Sequence, residues 1–176
     1  MSSTILISGG TLPDGTKSDL LIKNGKISEI AAKIEPQGAH VIDAAKSIVL
    51  PGLVDLHTHL REPGKEDAET VESGSRAGVK GGFTALSAMA NTSPVADTAG
   101  VVEQVYRLGQ ATGLLDVFPI GAVTRGLEGE HLAEIGAMAD SVARVRVFSD
   151  DGHCVFDPLV MRRALEYVKK FNGVIA

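Results

Sequence analysis

Two histidines separated by one threonine, His57 and His59, close an apolar run, with Asp55 before them and Arg61 after them at alternate positions. In a strand, alternate side chains share a face. Asp55, His57, His59 and Arg61 would then stand together, while Val54, Leu56, Thr58 and Leu60 face the other way. Two neutral imidazoles so placed suit zinc or a similar borderline metal, which lowers the pKa of a coordinated water towards neutrality. Arg61 beside them is a planar fork for a carboxylate. The combination points to metal-assisted hydrolysis of an anionic substrate. An isolated His-x-His also describes two half-buried histidines bonded to backbone carbonyls; Asp55, Arg61 and the strand exit weigh against that reading.

Further polar groups follow later apolar runs. Ser149–Asp150–Asp151–Gly152 offers two adjacent carboxylates, either an Asx turn closed by glycine or a cation ligand plus a loop anchor. Side-chain chemistry alone does not choose between Asp150 and Asp151. Asn91 presents an amide able to reach an anion, although Thr92 and Ser93 also fit a plain turn. His153 stands next to the acidic loop and is expected to support the site or face solvent. His40 and His131 have surface-like surroundings, and Arg125 sits in a glycine-rich connection.

The elements that must position these groups change character at Pro51. Before it, short runs at 4–7, 20–23, 27–30 and 40–42 read as antiparallel strands, with turns at Pro13–Asp14–Gly15 and Asn24–Gly25. After it, strand and helix alternate. Helical stretches are expected over 67–80, from an Asp97 cap to 110, over 130–139, and from Asp157–Pro158 to 171. Strands are expected at 83–89, 114–123, 142–148 and from 173 onwards. An open doubly wound sheet shares this alternation, but no GxGxxG or phosphate-loop lysine accompanies it. The preferred architecture is α/β: residues 1–50 as part of a small β-sandwich, and 51–176 as the first half of a TIM-like (β/α)₈ barrel. The run ending at Ala176 would be its fifth strand, which makes the barrel incomplete.

Composition narrows the function classes. Among 176 residues, 44% are hydrophobic and 22% charged, with a net charge of −5 and no basic run to follow a nucleic-acid backbone. No apolar stretch approaches membrane-spanning length, and no leader pattern opens the chain. A lone Cys154 fits a reducing compartment. The expectation is a cytoplasmic enzyme acting on a small molecule, without nucleic-acid or membrane partners.

The run Asp55–Leu56–His57–Thr58–His59–Leu60–Arg61–Glu62–Pro63–Gly64 resembles the signature of the bacterial dihydroorotases, within the amidohydrolase superfamily. Gly81–Gly82–Phe83–Thr84, Met89–Ala90–Asn91–Thr92–Ser93–Pro94 and Phe148–Ser149–Asp150–Asp151–Gly152 extend the likeness over nearly the whole chain. Val160–Met161–Arg162–Arg163–Ala164–Leu165–Glu166–Tyr167 resembles the actinobacterial branch. Ala90 stands where the family more often has proline. The resemblance implies reversible hydrolysis of dihydroorotate to N-carbamoyl-L-aspartate in pyrimidine biosynthesis. It implies one or two Zn²⁺ ions per subunit and leaves room for a homo-oligomer. It makes His57 and His59 metal ligands, with His59 also at the substrate, Arg61 and Asn91 holders of the substrate carboxylate, and Asp151 the metal-bridging aspartate of the catalytic set. Two further metal histidines and the general base would lie beyond residue 176, so the segment alone is expected to be inactive. Alternatives within this likeness are a hydantoinase or allantoinase, or an inactive homologue serving as a partner subunit.

Overall fold

The computed structural model describes residues 4–176, which divide into two compact units at the Pro51–Gly52 link. The first unit is a four-stranded sheet ordered β3-β2-β1-β4, built from β1 (Thr4–Thr11), β2 (Lys17–Lys23), β3 (Lys26–Ala31) and β4 (His40–Asp43). Asn24 and Gly25 both take positive φ, 53° and 74°, the backbone that a two-residue hairpin between β2 and β3 requires. β4 departs from the antiparallel expectation and runs parallel to β1. The link 32–39 is long enough to cross the sheet, and no sequence signal distinguished that crossing from a turn. Leu6, Leu21 and Ile34 form a small core, while Ile27, Ile30, Val41 and Ile42 stay about half exposed.

The second unit carries the chemistry. Its strands are β5 (Leu53–Thr58), β6 (Phe83–Ala88), β7 (Asp116–Pro119), β8 (Val147–Phe148) and β9 (Val174–Ile175). β5-β6-β7 pair in parallel, as do β8 and β9, and a parallel bridge from Gly121 to Phe148 joins the two groups. The spatial order follows chain order without reversal. That is the winding of a barrel, whereas a doubly wound sheet reverses at its switch point. The described sheets are not closed into a ring.

Helices α1 (Val71–Lys80), α2 (Ala99–Thr112), α3 (Ile135–Asp140) and α4 (Pro158–Val168) link the strands. α1 begins four residues later than periodicity alone suggested. Thr70 accepts from Ser73 N–H, and Ser73 Oγ accepts from Thr70 N–H, so reciprocal capping fixes the start. Asp97 does not cap α2, whose N-cap is Thr98; its carboxylate instead accepts from Gly126 N–H at 2.9 Å. Asp157 caps α4 as its position before Pro158 implies, accepting from Leu159 N–H at 2.7 Å. β7 and β8 are much shorter than the apolar runs containing them. The surplus residues, such as Ala122, Val123 and Val145, are buried as loop in a core with Ile135, Met138 and Phe148. Apolarity there reports burial and not strand. No helix among the described residues is long and apolar enough to cross a membrane.

Candidate metal centre

Leu60 anchors the exit of β5. It is buried with Val71, Leu86 and Val117, in a slot left by Gly74 of α1, where a Cβ would come within 2.5 Å of the leucine. Thr58 is tied to the neighbouring strand by its hydroxyl, which donates to the Ser87 carbonyl at 2.8 Å. These two residues hold the side of the chain away from the histidines, and His57 and His59 project from the other. The alternation is imperfect. Register slips between Asp55 and Thr58, where His57 N–H donates to Asp55 Oδ1 at 3.0 Å, and Leu56 is exposed instead of packed. β5 ends at Thr58, and Arg61 adopts φ of 62°, so strand parity does not extend to Arg61. Arg61 is partly exposed, and no hydrogen bond or ion pair engages its guanidinium among the described residues.

The turn bearing Arg61 is stitched to the one after β6. Ser93 N–H donates to the Pro63 carbonyl at 2.9 Å, and Met89 N–H to the Thr58 carbonyl at 2.9 Å. Gly64 sits at φ of 98°, and a Cβ there would lie 2.0 Å from the Ser93 carbonyl oxygen. Only glycine lets these two turns touch. Asn91, carried on the second turn, places Oδ1 3.0 Å from His59 Nδ1 and Nδ2 3.4 Å from Asp151 Oδ2. The sequence suggested an anion contact for this amide; its contact with His59 had no signal there, because it joins the turns after two different strands, 32 residues apart.

The acidic pair after β8 divides by environment. Asp150 is buried, and its carboxylate accepts from Val123 N–H at 2.7 Å, Thr124 N–H at 3.1 Å and the Thr124 hydroxyl. Asp151 turns towards the histidines, with Oδ1 3.5 Å from His57 Nε2 and Oδ2 3.4 Å from His59 Nε2. The geometry thus separates two residues that side-chain chemistry could not.

Those separations discriminate between two interactions. A charge-assisted N–H···O contact closes to about 2.7–2.9 Å. Ligands at about 2.0–2.2 Å from a tetrahedral zinc stand about 3.4 Å apart along each edge. The two carboxylate–histidine separations match the second, one to each Asp151 oxygen. His57, His59 and Asp151 each offer a ligand atom within 4.8 Å of the others, two nitrogens and a carboxylate oxygen, a donor set able to hold a metal ion.

A cavity of about 670 Å³ opens beside the cluster, lined by His57, Met89, Ser149, Asp151, His153 and Cys154 among others. That volume falls in the range of small-molecule sites. His153 is exposed at its rim and is not a member of the cluster. Arg125 and His131, also exposed, do not line the cavity, and His40 is exposed in the first unit.

The sequence model of the family described as dihydro-orotase-like matches residues 46–175. The chain belongs to the dihydroorotase-like family. The dihydroorotase of Leifsonia xyli subsp. xyli is 66% identical over 173 residues, which are 98% of this chain and 40% of that protein. The dihydroorotase of Streptomyces coelicolor is 60% identical over 176 residues, 100% of this chain and 41% of that protein. This dihydroorotase-like chain therefore spans about two fifths of the length of these curated relatives. Among solved structures, the L-hydantoinase (dihydropyrimidinase) of Arthrobacter aurescens superposes with a TM-score of 0.78 at 22% identity, over 99% of this chain and 40% of that one. That likeness shows a shared fold over the part of that structure which this chain spans.

Proposed function

We propose that the protein is a zinc-dependent dihydroorotase, hydrolysing the ring amide of dihydroorotate reversibly to N-carbamoyl-L-aspartate. The observation that carries this reading is the convergence of His57, His59 and Asp151, whose ligand atoms lie within 4.8 Å of one another, in a chain 66% identical to a dihydroorotase. His57, His59 and Asp151 would hold one zinc ion, or share in holding two. When bound, zinc supplies Lewis acidity and a water of lowered pKa.

The chain's own residues supply recognition. Arg61, two residues beyond His59 and with its guanidinium uncommitted, offers a fork to the substrate carboxylate. The Asn91 amide carries two N–H donors; one points to Asp151, and the second is left for the same anion. Asp150 keeps the acidic loop in register. We assign the remaining ligands and the general base to sequence outside residues 1–176, and read residues 1–50 as part of a composite β-sandwich and 51–176 as half of the barrel. On this reading the enzyme works in the cytoplasm on a small molecule, without nucleic-acid or membrane partners.

The hydantoinase reading has fold likeness behind it, but at 22% identity that bears on architecture alone. Rates of the intact protein on dihydroorotate, hydantoin and allantoin separate the readings. Turnover of dihydroorotate with little on the uncharged rings is expected, and preference for an uncharged ring would reject the proposal. Metal-free protein that cannot be activated by any divalent ion would favour the inactive-homologue alternative.

A further inference from the structure

We propose that Asn91 is a positioning residue that holds the His59 ring with Nε2 directed into the cluster, its own amide being oriented by Asp151. This rests on the metal-site reading above. Three contacts close a ring: His59 Nδ1 to Asn91 Oδ1 at 3.0 Å, Asn91 Nδ2 to Asp151 Oδ2 at 3.4 Å, and Asp151 Oδ2 to His59 Nε2 at 3.4 Å.

The direction of each contact follows from donor and acceptor chemistry. A carboxylate oxygen only accepts, so the side of the Asn91 amide facing Asp151 must be NH₂; the reversed amide would set two acceptors against each other. With NH₂ turned to Asp151, the carbonyl oxygen faces His59 Nδ1. An oxygen there accepts from Nδ1–H, which fixes that edge of the ring and directs Nε2 towards Asp151 and His57. The carboxylate therefore selects the amide orientation, and the amide holds the ring with its ligand atom turned into the cluster. The amide also restrains rotation of the ring, as outer partners of metal histidines do, and losing such a partner lowers metal affinity by about 10–100-fold.

The test compares wild-type, N91A and R61A forms of the intact protein. Zinc affinity is measured by chelator competition without substrate, alongside thermal unfolding of the metal-free forms. N91A should bind zinc about 10–100-fold more weakly with a melting temperature close to wild type, whereas R61A should keep wild-type zinc affinity. N91A with unchanged zinc affinity would overturn the proposal and leave Asn91 as a substrate contact only. A wild type that binds no zinc would instead sink the metal-site reading.

Discussion

The Asp150 carboxylate grips Thr124 twice, through its backbone N–H at 3.1 Å and through its hydroxyl, and so pins the loop after β8 to the loop after β7. Thr124 Oγ1 in turn accepts from Gly129 N–H at 2.9 Å, extending the clamp. D150N exchanges an acceptor for a donor inside this buried network and should cost about 1–3 kcal/mol of stability. D151N should leave stability nearly unchanged and deplete bound zinc. Denaturant unfolding and metal analysis on both variants check this; the opposite pattern would reverse the two roles.

R61A should keep its metal and lose substrate. If the guanidinium forms a desolvated, two-pronged contact with a carboxylate, removing it costs about 2–5 kcal/mol of binding. The expected signature is a large rise in KM for dihydroorotate with normal zinc content. An unchanged KM would remove Arg61 from the site.

G64A tests the junction of the two site-bearing turns. A methyl group at φ of 98°, directed at the Ser93 carbonyl, must push the Arg61 turn away from the Asn91 turn. Backbone strain of this kind costs about 1–3 kcal/mol. Lower melting temperature together with higher KM is expected, and a variant with wild-type values of both would refute the tight junction.

Asp19 gives the N-terminal unit its acid sensitivity. The carboxylate is almost inaccessible and accepts from Ile34 N–H at 2.9 Å, Gly9 N–H at 2.7 Å and the Ser8 hydroxyl at 3.2 Å. Those bonds, Ile34 first and Gly9 next, hold its carboxyl below the usual aspartate value. The folded form thus prefers the ionised group. Its contribution is complete above the unfolded-state pKa, about 3.9, and disappears as pH falls through the lower folded value. D19N should be less stable at neutral pH and lose less stability than wild type between about pH 5 and pH 2. Urea unfolding across that range is the measurement, and parallel curves would contradict it.

A polypeptide of residues 1–176 alone should show no turnover of dihydroorotate. Three protein ligands leave a weakly organised centre, and the general base is assigned elsewhere. Steady-state assay with added zinc checks this, and sustained turnover by a sequence-verified monomer would overturn the assignment of the base.

What the sequence disclosed was local. His57 and His59 were visible from their spacing, Asp157–Pro158 from cap chemistry, and Asn24–Gly25 from turn preference. The metal cluster was visible only in part, since Asp151 and Asp150 are chemically equivalent until Thr124 and Val123 are brought to one of them. Arg61 was grouped with the histidines by a strand period that stops at Thr58. Asp97 looked like a helix cap because an N–H donor 29 residues away, on Gly126, is invisible in one dimension. Long-range partners decide such cases, and a linear pattern does not contain them.

The unreversed strand order has a bearing on synthesis. β6 and β7 are each laid against the strand made before them, β8 bridges to Gly121 just beyond β7, and β9 pairs with β8, so a chain emerging from the ribosome amino end first finds its partner already waiting. Contacts close in the order in which their residues appear, which keeps loop-closure costs modest at every step. Within the second unit the histidine strand is produced first and the aspartate loop after three more strands. His57, His59 and Asp151 can therefore come together only once β8 has been laid down, so the capture of zinc would wait on the fourth strand of this unit.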